Sequence, residues 1–401
     1  MFARVSTYGI VLAAMLMTAC SQNETELKTV PQEPVAISFS FTPTQDNQAT
    51  TRGEAENAQL RSTGFGVFAT VEGSEIPNLM YNQQVTYTYL ADDAQNGYWS
   101  YSPTKYWPIQ TVEENGKLKT VPQTVTFCAY APYVAAGGAT GITGMSANSK
   151  APDQENYSLY LDYTLSEELD ETVDLLWTCY QPTELGPIEF KMYHALARVA
   201  VNVKLKDVLN AEDSYKTSTT KVLISEITLS TAAAVTKGQL KLDNDQTEII
   251  DAVIYHYPTW TVNQEDIAAR TVDIYNDIEK NPTSYGIIAE EIRYIEGMPY
   301  SWQPDGLQLK YNDESSKWEG VLANALCAAD HHQVYVYFIP NEDNGLTLTC
   351  TVKYRLMEKN TGYISDELST TAEPVNIVPL RGNRTYKLKL IIDPKKTTST
   401  P

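Results

Sequence analysis

Histidine is scarce in this chain: His194, His256, His331 and His332 are the four among 401 residues. On a strand, the adjacent His331-His332 would point to opposite faces, a poor arrangement for two ligands on one metal ion, so the pair reads as turn residues. His194 alternates with apolar neighbours in 190–199 and reads as a structural strand residue. No HExxH, GxSxG, Walker loop or glycine-rich dinucleotide fingerprint occurs. Asp243-Asn244-Asp245 lacks the spacing of a calcium loop and reads as a polar turn, and Glu167-Glu168 as solvated loop charge. The expectation is a protein that is not an enzyme and holds no cofactor or metal. Basic residues are also in deficit, 30 Lys and Arg against 50 Asp and Glu, for a net charge of −20. Phosphate backbones are bound by basic patches, so nucleic acid is excluded as a partner.

Long apolar runs are missing except at the amino end. There Arg4 precedes Ile10-Val11-Leu12-Ala13-Ala14-Met15-Leu16-Met17. This run falls short of the roughly 20 apolar residues that a spanning helix needs. A positive start, a short apolar core and small residues describe a secretory signal over 1–19. Cys20 follows directly, and Met17-Thr18-Ala19-Cys20 resembles a lipobox, with Met17 where Leu is usual. Acylation at Cys20 would anchor the chain to the outer membrane, each buried CH₂ adding about 0.8 kcal/mol. The other reading is an ordinary cleaved signal with a chance cysteine. The remaining cysteines are Cys128, Cys179, Cys327 and Cys350, all in apolar stretches. Export permits disulfides, and Cys128–Cys179 and Cys327–Cys350 are the plausible pairs; buried free thiols are the alternative.

The body of the chain reads as strands. After a polar tether at 21–33, Val35, Ile37, Phe39 and Phe41 alternate with Ala36, Ser38, Ser40 and Thr42, the period of a strand with one buried face. A polar stretch at 43–56 follows, containing Thr50-Thr51-Arg52-Gly53, and reads as an exposed, protease-accessible linker. Short strand-like runs then recur at 64–71, 84–90, 124–133, 157–165 and 172–180, rich in the 27 tyrosines. Leu185-Gly186-Pro187 marks a break, and strand-like runs resume at 188–205, 222–229, 239–242, 333–339, 346–354 and 385–392. The expected architecture is all-β, two tandem β-sandwiches over 53–186 and 187–393, with 394–401 disordered. Between about 250 and 300, Ile267, Val272, Ile274, Tyr275 and Ile278 can line one helical face, continued at 287–295, so a partly helical insertion is expected in the second unit.

Two aromatic groups invite a ligand. Trp99, Tyr101, Tyr106 and Trp107 could stack on sugars, but aromatic clusters on strands are more often core and these read as core; Tyr255, Tyr257 and Trp260 lie beside loops and are the better ligand-contact candidates.

Several motifs, in order, resemble the fimbrillins, the subunits of type V pili of Bacteroidales. They are Tyr106-Trp107-Pro108, then Val125-Thr126-Phe127-Cys128-Ala129-Tyr130-Ala131-Pro132, then Val173-Asp174-Leu175-Leu176. His194-Ala195-Leu196-Ala197-Arg198-Val199, Phe338-Ile339-Pro340 and Leu380-Arg381-Gly382-Asn383-Arg384-Thr385-Tyr386 complete the set. The resemblance implies two transthyretin-like β-sandwich domains and a surface pilus subunit that is exported as a lipoprotein. It also implies an Arg-specific protease that removes the first strand, leaving a groove for a strand of a neighbouring subunit. Arg52 is then the processing site, Val35, Ile37, Phe39 and Phe41 the removable strand, and Tyr386, Leu388, Leu390 and Ile392 the candidate donor strand. The polar end after this strand and the insertion lean towards a tip or accessory subunit contacting a host protein or glycan, rather than a stalk. The competing reading is a surface glycan-binding lipoprotein of a nutrient-uptake system.

Overall fold

The computed structural model describes residues 33–43, 60–74, 77–91, 93–135, 141–148, 158–169, 171–205, 220–243, 246–250, 253–274, 292–295, 307–312, 317–322, 334–341, 345–358 and 366–392. Contacts define one compact unit over Val35–Pro401, apart from Met1–Pro34. The described regular structure is almost entirely β, as the alternation of apolar and polar residues leads one to expect.

The largest sheet has seven strands. Across it lie Phe39–Pro43, Ile188–His194, Leu176–Tyr180, Val125–Ala131, Phe65–Val71, Met80–Leu90 and Asp93–Ser100. Both faces of the central strands Phe65–Val71 and Val125–Ala131 are buried, because alternate residues feed different cores. Phe65, Val67 and Ala69, with Val125, Phe127 and Ala129, join Ile188, Phe190, Ile37 and Phe39 in one cluster. Phe68, Cys128, Tyr130, Trp177 and Cys179 join Leu159, Leu161, Tyr163 and Leu240 in another. The latter residues belong to a four-stranded sheet ordered Thr259–Thr261, Lys237–Lys241, Ser158–Thr164 and Ile142–Asn148. A third core lies between two further sheets. One carries Val334–Phe338, Ala197–Leu205 and Thr385–Ile392; the other carries Ile267–Asp273, Thr220–Val235, Leu346–Glu358 and Leu368–Thr371.

Sheet membership does not change at 186–187. Ile188–His194 pairs antiparallel with Leu176–Tyr180 in the seven-stranded sheet. Lys237–Lys241 pairs with Ser158–Thr164. The chain thus returns to sheets built by its first half, and the long strand Thr220–Val235, followed by Lys237–Lys241, carries it there.

The helical face expected from Ile267, Val272 and Ile274 is not formed. Ile267–Asp273 is a strand paired antiparallel with Thr220–Val235, and Ile292–Ile295 is a strand too. Arg270, Val272 and Ile274 are buried at every second position, so period two prevails over the looser helical spacing. The helical structure nearby is the short turn Gln264–Asp266. Tyr275 and Ile278 lie outside the described residues.

Two hairpins stand out from the cores. Ile109–Glu114 and Lys117–Pro122 are joined by Asn115-Gly116, both at positive φ as the tight two-residue turn requires, and Ile109 and Leu118 are exposed. Thr247–Ile250 and Val253–His256 form the second, with Ile249 opposite Ile254 and both exposed.

Candidate functional site: the slot of the amino strand

Phe39–Pro43 runs parallel to Ile188–His194 at the rim of the seven-stranded sheet, with Phe39 beside Ile188 and Phe41 beside Phe190. Ile37 and Phe39 are buried and Val35 is half-buried. The Phe39 ring sits in an aromatic box: Tyr101 at 5.3 Å, Phe190 stacked at 5.4 Å, and Phe65 and Phe127 each at 6.2 Å. Each of the two buried side chains contributes roughly 1.5–3 kcal/mol by leaving water.

A second segment closes over this strand. The Trp107 amide donates to the Val35 carbonyl at 2.9 Å, and the Ile37 amide to the Lys105 carbonyl at 2.9 Å. The Tyr101 hydroxyl donates to the Ile37 carbonyl at 2.9 Å and accepts from the Lys105 amide at 3.2 Å. Burial pushes the Tyr101 hydroxyl pKa upward, so it stays a protonated donor. On the other side the Ile188 amide donates to the Ser38 carbonyl at 2.8 Å. Tyr106-Trp107-Pro108 therefore sits where the chain grips residues 35–37. Trp107 is buried against Phe127 at 5.6 Å, while Tyr106 is exposed. Trp99, Tyr101 and Trp107 belong to the first core, as the sequence favoured, but the gripping role of Tyr101 depends on a partner far away in the chain.

Cys20 and Arg52 lie outside the described residues. The carboxyl strand Thr385–Ile392 runs parallel to Ala197–Leu205 over eight paired positions at the rim of its own sheet. Tyr386 and Leu388 pack against the third core. The Tyr386 hydroxyl donates to Pro379 at 3.0 Å and accepts from the Arg381 amide at 2.9 Å. The side chains of Leu390 and Ile392 lie outside the described residues.

Tyr255, Tyr257 and Trp260 do not form an exposed platform. Tyr257 is buried; its hydroxyl donates to Glu248 at 3.0 Å and accepts from Arg384 Nε and Nη2 at 3.2 and 2.7 Å. Arg384 lies over the Tyr255 ring at 4.7 Å, and Arg381 pairs with Glu248. These contacts latch Arg381-Gly382-Asn383-Arg384 to the hairpin at 247–256. Trp260 donates its indole N–H to Ala195 at 3.0 Å and packs on the second core.

Cys128 and Cys179 face each other on neighbouring strands and form a disulfide. The other plausible pair is not made at Cys350, a free buried thiol pushed up to about 11 by burial; Cys327 lies outside the described residues. His194 is a strand residue whose Nδ1 lies 2.7 Å from Asp174. Asp243 meets Lys241 at 2.7 Å and Thr259 at 3.2 Å. Among the described residues no group of His, Cys, Asp and Glu side chains could hold a metal ion, and no helix is long and apolar enough to cross a membrane.

An all-β molecule with a leading strand seated at a sheet rim is the class these observations define. The chain belongs to the fimbrillin-like family, whose profile matches residues 51–400. No curated protein matches it. Among solved structures it is similar to a candidate cell adhesion protein from Bacteroides uniformis, at 13% identity, covering 90% of this chain and 95% of that one, with a TM-score of 0.37. A candidate cell adhesion protein from Bacteroides ovatus shares 10% identity over 90% and 92% of the two chains, TM-score 0.38. A candidate adhesin from Bacteroides thetaiotaomicron shares 8% over 90% and 92%, TM-score 0.30. TM-scores this low carry no argument, and membership of the family stands on the sequence match.

Proposed function

We propose that this chain is a structural and adhesive subunit of a surface pilus, exported as an outer-membrane lipoprotein through Cys20 and assembled by strand replacement. An Arg-specific protease cuts after Arg52, freeing Val35, Ile37, Phe39 and Phe41 together with the lipid. A strand of another subunit, for which Tyr386, Leu388, Leu390 and Ile392 are the candidates, then fills the slot. The role is not catalytic.

The observation that carries this reading is the position of Phe39–Pro43. Among the described residues it is the first strand and a rim strand of its sheet, so removing it breaks only its pairing with Ile188–His194 and the contacts of residues 35–37 with 101–107. Its loss uncovers Phe190, Phe127, Phe65 and Tyr101 and an unpaired row of backbone groups on Ile188–His194. Such an apolar, hydrogen-bond-hungry rim favours strand addition. Both the leading and the carboxyl strand lie parallel to their partners and present apolar residues at every second position. This likeness supports the carboxyl strand as donor, at the cost of leaving its own sheet.

The test is exposure of the purified chain to an Arg-specific protease, with intact mass and electron microscopy as readouts. Wild type is expected to lose everything up to residue 52 and to form fibres, while Arg52→Ala stays whole and monomeric. Fibres from uncut Arg52→Ala would contradict the reading.

A further inference from the structure

A cleft of about 590 Å³ opens beside Thr259–Thr261 and the short helical turn Gln264–Asp266. This is within the range of about 300–1,000 Å³ usual for small-molecule sites. Its lining includes the carboxamide residues Gln246, Gln264 and Asn341, with Thr261, Trp260 and Pro258. Every described lining residue is uncharged, in a chain where charged residues make up 20%. Carboxamides both donate and accept hydrogen bonds, as do hydroxyls, so the walls match a ligand whose own groups do the same. A phosphate or carboxylate finds no cation among the described lining residues, and an apolar ligand would strip water from the exposed Gln246 and Gln264 at a cost.

Trp260 gives the cleft a rigid element. Its indole N–H is committed to Ala195 at 3.0 Å, its ring meets Tyr163 edge-on at 6.1 Å, and it lies close over Gly238, where an added Cβ would stand 3.1 Å from the ring. Gln246 and Gln264, in contrast, are exposed.

We propose that this cleft binds a neutral saccharide unit, its hydroxyls bonded by Gln246, Gln264, Asn341 and Thr261 beside the fixed Trp260. This deepens the adhesive part of the function above by naming a receptor chemistry, and it does not need strand replacement. Sialylated or sulfated sugars are disfavoured. The described lining residues carry no cation, and the net charge of −20 repels anions.

The test uses uncut full-length chain carrying Arg52→Ala, with saturation-transfer NMR and calorimetry on mannotriose, maltotriose, N-acetyllactosamine and lactose, and sialyllactose as the anionic comparator. At least one neutral sugar is expected to bind, more tightly than sialyllactose. Gln264→Ala and Thr261→Val are each expected to weaken that sugar about tenfold, the effect of one lost hydrogen bond, with the unfolding midpoint unchanged because both residues are exposed. Silence from every neutral sugar, undiminished binding by the two variants, or preference for sialyllactose would overturn the proposal. Fibre formation is scored separately, so failure of the sugar site and failure of the assembly route are told apart.

Discussion

Phe39 and Tyr101 show how single residues set the character of the leading segment. Phe39 contributes apolar surface to the first core, whereas Tyr101 reaches from a loop to hold the backbone at Ile37. His256 is a different kind of residue. It is half-buried beside Tyr193 at 4.6 Å, and burial, followed by the charge of Lys191, holds its pKa below the ordinary value of 6.5. At His256 the unfolded chain therefore binds more protons than the folded one just below pH 6.5, so this residue's contribution to stability rises with pH through that window and falls on acidification. Urea unfolding across this range is expected to show that slope, and His256→Gln to flatten it; an unchanged slope in the variant would assign it elsewhere.

At the scale of elements, pairing explains more than propensity does. Ile267–Asp273 becomes a strand because Thr220–Val235 offers it a partner and because its buried residues alternate. A bulge between Thr231 and Ala234 accommodates the change of register. The hairpin of Ile109–Glu114 and Lys117–Pro122 lies at the other extreme. Nearly all of its residues face solvent, and its base is closed by the Gln123 amide bonded to Pro108 at 2.9 Å. Replacing residues 110–121 with a short Gly-Ser turn is expected to change the unfolding free energy by no more than about 0.5 kcal/mol, as for other surface changes. A loss of several kcal/mol in denaturant titration would mean that the hairpin covers a core after all.

For the molecule as a whole, the three cores and the interleaved sheets make the first and second halves of the chain interdependent. The disulfide between Cys128 and Cys179 ties two central strands of the seven-stranded sheet and closes a loop of 51 residues. Loop-closure entropy assigns such a cross-link about 4 kcal/mol. Cys128→Ser with Cys179→Ser is expected to lower the unfolding free energy by up to that amount. Equal midpoints for bridged and unbridged protein would show that the strands need no tie.

Much of this was legible along the chain. Alternation at 35–41 announced the burial of Ile37 and Phe39, although the strand itself runs Phe39–Pro43, and Cys128 and Cys179 stood as a plausible pair. The order of short motifs, from Tyr106-Trp107-Pro108 to Asn383-Arg384-Thr385-Tyr386, pointed to the family that the profile match establishes. Other features were not legible: the grip of 101–107 on the leading strand, the parallel seat beside Ile188–His194, the uncharged cleft around Trp260, and the return of Lys237–Lys241 to a sheet of the first half. Periodicity, composition and motif order are carried by residues near one another in the chain, so the sequence alone determined strand content, family and charge. Which strands meet, and which side chains then share a slot or a cleft, depends on contacts between distant segments whose closure is favourable only when a whole core forms, and that the tertiary structure alone decided.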